Sequence, residues 1–271
     1  MNMQTPSTQP AVLIAHPEPG FALVTLDRSA SRNALSQAMM STLSEAITTL
    51  GTDPNVRAIV LAANGPAFCA GHDLKELTAH RIDADGGRAF YTQTMGQCAA
   101  LMQAIVACQK PLIAAVEGVA TAAGCQLVAT CDLAVASETA TFATPGVNIG
   151  LFCSTPMVAL SRNVPRKRAM EMLLLGEALH AREAADYGLV NRVVPAAQVR
   201  ESAFQFARAI ASKSTVTIAT GKAAFYAQIE QPLTEAYDYA AGIMVANMMA
   251  ADAAEGIGAF LGKRKPKWSG C

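Results

Sequence analysis

Apolar positions along the chain fall into two alternating rhythms. FALVTLD (21–27) and VRAIVLAA (56–63) are apolar runs of strand length, and between them Leu35, Met39, Leu43, Ile47 and Leu50 recur at helical spacing. Gly51 and Pro54 follow, so the spacing predicts a helix that closes at Gly51. The order then repeats. PLIAAVEG (111–118) and DLAVAS (132–137) are apolar throughout, as strands covered on both faces are, and GCQLVAT between them is compatible with a helix. The stretch PRKRAMEMLLLGEALHAREAADYGLVNRVVP (165–195) predicts a helix, a short helix closed by Gly188 and a strand ended by Pro195. Beyond Pro195 the period is helical to about Leu261, in sequence rich in alanine and methionine. The predicted class is α/β with buried parallel pairings, organised as a core over residues 11–195 and a C-terminal helical region over 196–271. A mostly apolar terminal helical region predicts packing on a second copy, hence a homo-oligomer.

Composition narrows the function classes. With 52% hydrophobic residues in 271, the chain can bury a large core, and disorder is excluded for most of it. Lysine plus arginine equals aspartate plus glutamate at 21 each, so no charge excess draws nucleic acid or an acidic membrane. Only the KRKPK run near the C-terminus is locally basic. The stretch 139–161 carries no charge, but Pro145, Asn148, Pro156 and its glycines unsuit it to spanning, so no transmembrane segment is predicted. The seven cysteines sit mostly in apolar sequence and read as reduced, buried thiols. The first twenty residues contain no arginine and no amphipathic period, which makes the cytoplasm the expected compartment.

No G-x-G-x-x-G, G-x-x-x-x-G-K-[ST], H-E-x-x-H, C-x-x-C or G-x-S-x-G motif occurs, which removes the usual support for dinucleotide, P-loop, zinc and serine-hydrolase chemistry. His16, His72, His80 and His180 do not form ligand spacings, so no metal site is predicted. Two turns stand out instead. FCAGHDL (68–74) and GVATAAGC (118–125) each lead from a strand to a helix and are rich in glycine and alanine, which lets a ligand approach backbone N–H groups at a helix start. Two such turns side by side present a pair of N–H donors to one developing oxyanion, worth ~2.7–4 kcal/mol per donor in acyl chemistry. The same small residues also let a helix pack tightly on a sheet, and spacing alone does not choose between the two roles.

FCAGHDLKEL, PLIAAVEGVATAAGCQLVATCDLAVAS, FATPGVNIGL and HAREAADYGLVNRVV, in that order, resemble the crotonase (enoyl-CoA hydratase/isomerase) superfamily. The resemblance runs from DRSASRNAL (27–35) to FLGKRKPKW (260–268). It implies a crotonase-like spiral of ββα units with a C-terminal α-helical trimerisation region, assembled as a homotrimer or a hexamer. It also implies an acyl-CoA or enoyl-CoA thioester of fatty-acid metabolism as the partner, with coenzyme A entering as part of the substrate and no tightly bound cofactor. Carried over by position, the two oxyanion N–H groups belong to His72 and Ala123. The main chain of Ala70, Asp73 and Leu74 surrounds the adenine, and Arg28, Lys263 and Lys267 meet the phosphates; the other reading of the basic tail is a solvated end.

In the hydratases that this chain resembles, two glutamates hold the water that adds to the double bond, one in a G-C-E-L context and one in a P-E-x context. Here those places read Gly124-Cys125-Gln126-Leu127 and Pro145-Gly146-Val147. The Gln126 amide orients water through hydrogen bonds but has no proton equilibrium near neutral pH and is no general base. Each positioned acid or base typically contributes ~10²–10⁴ in rate, so hydration by the usual route is expected to be weak or altered. Replacement bases suggested by position are His72, Cys125 and Cys153, or a small external base such as bicarbonate in space left by Gly146. Three readings follow: an acyl-CoA enzyme of the hydratase or isomerase kind; an acyl-CoA-binding or regulatory protein with impaired chemistry; and a peptidase on a related spiral fold, for which no serine, histidine and aspartate arrangement stands out.

Overall fold

The computed structural model describes residues 10–270; the reading of residues 1–9 and of Cys271 lies outside them. The strands are β1 (Val12–Glu18), β2 (Gly20–Leu26), β3 (Val56–Ala63), β4 (Ala67–Cys69), β5 (Leu112–Val116), β6 (Val119–Thr121), β7 (Leu133–Ser137), β8 (Thr141–Ala143), β9 (Leu179–His180) and β10 (Arg192–Val194). The helices are α1 (Gln37–Thr52), α2 (Leu74–Ala79), α3 (Arg88–Ala107), α4 (Ala123–Thr130), α5 (Pro156–Asn163), α6 (Arg166–Leu175), α7 (Ala181–Asp186), α8 (Val199–Ala211), α9 (Thr215–Gln228), α10 (Leu233–Met248) and α11 (Ala251–Leu261).

A six-stranded sheet runs β1-β2-β3-β5-β7-β10 and a four-stranded one β4-β6-β8-β9. All pairings are parallel except β1 with β2 and β8 with β9. The chain therefore repeats one move three times: a long strand in the first sheet, a short strand in the second, then a helix. Pairs β3 and β4, β5 and β6, and β7 and β8 are these repeats, and together they make a spiral of ββα units. The crossing from β5 to β6 is tight: a Cβ on Gly118 would lie 2.3 Å from the Pro66 carbonyl oxygen, so a side chain there would push the units apart.

Unbroken apolar runs in β3 and β5 follow from cover on both faces. Ile59, Leu61 and Ala63 face one cluster with α1 residues Met39, Met40, Leu43 and Ile47, whereas Ala58, Val60 and Ala62 face Val199, Ala203 and Ala207 of α8. α8 thus completes the core, and the α9 and α10 that follow it have no buried residue in the single chain. Those helices are tied to the core from beneath. Asp132 accepts hydrogen bonds from Lys222 Nζ at 2.7 Å, Tyr226 Oη at 3.0 Å and the Leu112 amide at 2.7 Å. Lys222 also donates to the Ile105 carbonyl at 3.0 Å, so one buried cation joins α9, α3 and the edge of the sheet.

Several elements depart from the sequence reading. α1 starts at Gln37 with Ser36 as its cap, runs through Gly51 to Thr52, and leaves Leu35 outside, bridged to His72. α3, a helix of 20 residues, is absent from that reading because two of its five buried positions are Thr94 and Cys98, which hide the apolar period. β1 and the second sheet are also additions; its strands are two or three residues long, too short for a period to show.

Candidate active site

β4 and β6 pair in parallel, with Ala67 opposite Val119 and Cys69 opposite Ala120. The turns that follow them, 70–73 and 122, are therefore neighbours by construction. Gly71 takes φ +86°, and a Cβ built on it would stand 2.9 Å from Ala122 Cβ, 3.0 Å from the Thr121 carbonyl oxygen and 3.3 Å from the Ala123 amide nitrogen. Only glycine fits between the two turns. Gly124 is under the same restriction, since its Cβ would lie 2.1 Å from the Cys69 carbonyl oxygen; the first turn of α4 lies flat on the end of β4.

Ala122 carries φ +51° and ψ −119°, a conformation that costs a residue with a Cβ of order 1–3 kcal/mol. Its amide donates to the Ala143 carbonyl at 2.8 Å, which holds the turn against that strain and aims the start of α4. Ala123, the first residue of α4, has no carbonyl one turn back to receive its N–H. On the other turn, the amides of Leu35 and Asp73 are engaged with Gly71 and Leu35 carbonyls at 2.7 and 3.4 Å, and the His72 amide between them has no backbone acceptor among the described residues.

A second pattern marks the same place. The buried side-chain nitrogen and oxygen atoms that lack a partner among the described residues are both ring nitrogens of His72 and the hydroxyls of Thr121 and Thr144. His72 follows Gly71, Thr121 precedes Ala122, and Thr144 stands two residues before Gly146. Buried polar groups are otherwise almost always paired, so these atoms are open to a water or a ligand. Gln126, on the same face of α4 as Ala123, is 4% exposed; its Oε1 receives a long S–H contact from Cys98 at 3.9 Å, and its Nε2 has no partner among the described residues.

Burial drives the imidazole pKa of His72 below its ordinary value, opposed only in part by the Leu35 backbone, which lies close without forming a hydrogen bond of normal geometry. His72 is thus neutral at physiological pH. The thiols are a different case. Burial pushes Cys69 and Cys125 up to about 12, Cys98 up to about 11, and Cys153 upward as well. All four stay protonated, which removes Cys125 and Cys153 as candidate bases. The side-chain position at Gly146 is itself filled: a Cβ there would lie 2.5 Å from the Leu151 carbonyl oxygen and 3.0 Å from Cys153 Sγ.

The remaining predicted residues divide. Ala70 donates its amide to Arg32 O at 3.0 Å, and Asp73 caps α2 by accepting from the amides of Lys75 and Glu76 at 3.0 and 3.2 Å, so both shape the first turn; Leu74 follows it, 51% exposed. Arg28 lies on the segment that docks on this turn, where the fully buried Asn33 donates to the carbonyls of Asn64 and Ala67 at 2.9 and 2.8 Å. Lys263 and Lys267 are not brought here. Lys267 N binds Glu255 and Trp268 Nε1 binds the Ser212 carbonyl at 2.8 Å, which folds the basic tail along α11 to the end of α8. Sequence reading missed Thr121, Thr144 and Cys98; a buried hydroxyl in a strand gives no signal before its neighbours are known. A depression of about 840 Å³ lies elsewhere, between His16, Asp53 and Arg57, and holds neither turn. Among the described residues no group of three or more His, Cys, Asp or Glu side chains is placed to hold a metal, and no helix is long and apolar enough to cross a membrane.

Residues 17–271 match the enoyl-CoA hydratase/isomerase family model. The chain is 48% identical over 250 residues to the human enoyl-CoA hydratase domain-containing protein 3, mitochondrial, covering 92% of this chain and 81% of that one. It is 46% identical over 264 residues to the rat protein of the same name, covering 97% and 86%. A crystal structure of an enoyl-CoA hydratase from Mycobacterium smegmatis superposes with a TM-score of 0.91 at 50% identity, over 96% of this chain and 99% of that one. That of the human domain-containing protein 3 gives 0.90 at 44% identity, over 96% and 100%. The relatives' names correct one expectation. They are mitochondrial, so the cytoplasmic placement drawn from the first residues does not stand; a packed domain carries no record of its compartment, and the absence of an import pattern is weak ground. The spiral of ββα units, the family model over most of the chain and the agreement with solved structures lead to one assignment: this chain belongs to the enoyl-CoA hydratase/isomerase family.

Proposed function

We propose that the chain binds acyl-CoA thioesters and acts on them as a hydratase- or isomerase-type enzyme of fatty-acid metabolism, with the thioester carbonyl oxygen on the amides of His72 and Ala123. The observation that carries this reading is the approach of Gly71 to the Ala123 nitrogen, which sets two free N–H groups on adjacent turns. Coenzyme A enters as part of the substrate, with its adenine along Ala70, Asp73 and Leu74 and its phosphates toward Arg28. Gln126 and Gly146 stand where the family resemblance implies glutamates, so addition of water by the usual route is weak. Calorimetric titration with butyryl-CoA and a crotonyl-CoA hydration assay test the reading: binding with slow or no hydration is expected, and no binding of either thioester would overturn it.

A second reading, an acyl-CoA-binding or regulatory protein with impaired catalysis, is favoured by the engagement of nearby carboxylates elsewhere: Asp73 caps α2 and Glu76 accepts from the Gln37 amide at 3.1 Å. Binding without turnover of any enoyl-CoA would select it. The assembly proposed is a homotrimer or a dimer of trimers built on α9–α11, where Tyr237, Phe260 and Met249 are 72%, 82% and 82% exposed in the single chain. The compartment proposed is the mitochondrion, from the relatives' names.

A further inference from the structure

We infer that a second site, apart from the two turns, binds a phosphate group in the cleft between α9 and the core. The cleft, about 350 Å³, is lined by Arg57 near the start of β3, Lys110 just before β5 and Lys213 between α8 and α9, and by no aspartate or glutamate. Among the described residues none of these three cations meets a carboxylate. Arg57 donates to the Ala211 carbonyl at 2.9 Å, and the ammonium groups of Lys110 and Lys213 have no hydrogen-bond partner. Lys222, one turn of α9 beyond Ala219, is by contrast neutralised by Asp132 at 2.7 Å. Three like charges around one cavity repel one another, and an anion held between them removes that repulsion.

The lining suits phosphate in particular. Its two negative charges and several outward oxygens match cations that approach from three separate elements, whereas a carboxylate presents one charge on one edge. Thr215 and Thr220 bring hydroxyl donors, and Ile210, Val216 and Ile218 form an apolar wall, so the cleft takes a phosphate with a small organic group attached. Its volume falls at the low end of the ~300–1,000 Å³ of ligand cavities.

Arg57 and Lys110 stand at the ends of β3 and β5 opposite to those that lead to the two turns. From Arg57 the strand runs on to Ala63, roughly 20 Å at ~3.3 Å per residue, before the chain enters β4. The cleft is therefore no extension of the thioester site. Thr215, Ile218 and Ala219 lie on the row of α9 that Lys222 and Tyr226 continue to Asp132, so the cleft opens beneath the helix and not on its outer face. A bound phosphate joins α9 to β3 and to the segment before β5, the joint that Lys222 closes from within through Asp132 and the Lys110 carbonyl.

The test titrates the purified full chain with inorganic phosphate, AMP and adenosine by calorimetry at low salt, where screening is least. Expected is binding of phosphate and AMP at one site per chain and none of adenosine. Tighter AMP assigns the site to a phosphomonoester, and equal affinities assign it to the free ion. AMP at about 100 times its Kd is expected to raise the thermal midpoint by roughly 5–10 °C. Lys110→Glu with Lys213→Glu loses no native partner, keeps the fold, and is expected to weaken AMP ~100-fold and abolish the midpoint shift. Arg166→Glu with Lys167→Glu, the same change of charge on α6, is expected to leave AMP binding unaltered. No binding of phosphate or AMP, equal binding of adenosine, or equal losses in the two double variants overturns the inference. Butyryl-CoA affinity is expected to be the same with and without Lys110→Glu and Lys213→Glu; a loss matching that of AMP would give these cations to the thioester's own phosphates and overturn a separate site.

Discussion

Gly71 faces Ala123 across the two turns so closely that a Cβ on Gly71 would stand 3.3 Å from the Ala123 amide nitrogen and 2.9 Å from Ala122 Cβ. Everything proposed about the site depends on that approach. Neither amide is placed by its own side chain; both are placed by parallel pairing of β4 with β6 and by two glycines that let backbone touch backbone.

Gly71→Ala is therefore expected to affect binding more than folding. Its φ of +86° costs alanine about 1–3 kcal/mol, and the added methyl intrudes on the place of the thioester oxygen. Thermal unfolding should show a modest loss of stability and calorimetry a large loss of butyryl-CoA affinity. Unchanged affinity would show that the amide pair does not hold the ligand.

Installing glutamates at both places, Gln126→Glu with Gly146→Glu, should not create an efficient hydratase. Gly146→Ala alone places its Cβ 2.5 Å from the Leu151 carbonyl oxygen and is expected to cost ~1–3 kcal/mol by overpacking. Chemical denaturation measures that cost, and loss of enoyl absorbance of crotonyl-CoA measures the double variant.

The pH dependence of stability should carry a mark of His72. Its folded pKa is below the ordinary value, so between the two the unfolded chain binds a proton that the folded chain does not. Stability contributed by the neutral ring is complete above about pH 6.5 and declines as pH falls through that value. His72→Gln is expected to flatten the decline, read from denaturation midpoints between pH 7 and pH 5.

Lys222→Met should destabilise the chain by ~3–5 kcal/mol, because it leaves Asp132, 16% exposed at its side chain, without its cation. Asp132 would retain only Tyr226 and the Leu112 amide. Denaturant titration of both proteins gives the difference, and a change below 1 kcal/mol would contradict a buried tie between α9 and the core.

Tyr237→Asp with Phe260→Asp puts charge on residues 72% and 82% exposed in the single chain. Light scattering after size exclusion should show the unaltered chain as a multiple of 28.3 kDa and the variant as smaller species. Equal masses would place the assembly surface elsewhere.

Much of the fold was legible before any coordinates. β3, β5 and β7 read as buried strands because a strand covered by helices on both faces has no polar side to interrupt it, and α1 read as a helix because one stripe of it, Met39 to Leu50, meets the core. α3 was not, since Thr94 and Cys98 occupy inward positions; β4, β6, β8 and β9 were not, since two or three residues carry no period.

The sequence by itself determined the alternation of strands and helices, the two glycine- and alanine-rich turns and the presence of an amide and a glycine at positions 126 and 146. Those are local properties, written in side-chain type and spacing. Only the tertiary structure decided that the two turns meet, that Thr121, Thr144 and His72 are buried without partners beside them, that the thiols are too deeply buried to serve as bases, and that the basic tail folds toward Ser212. Each of these depends on contacts between residues tens of positions apart, where parallel pairing and desolvation act and no local pattern reports them.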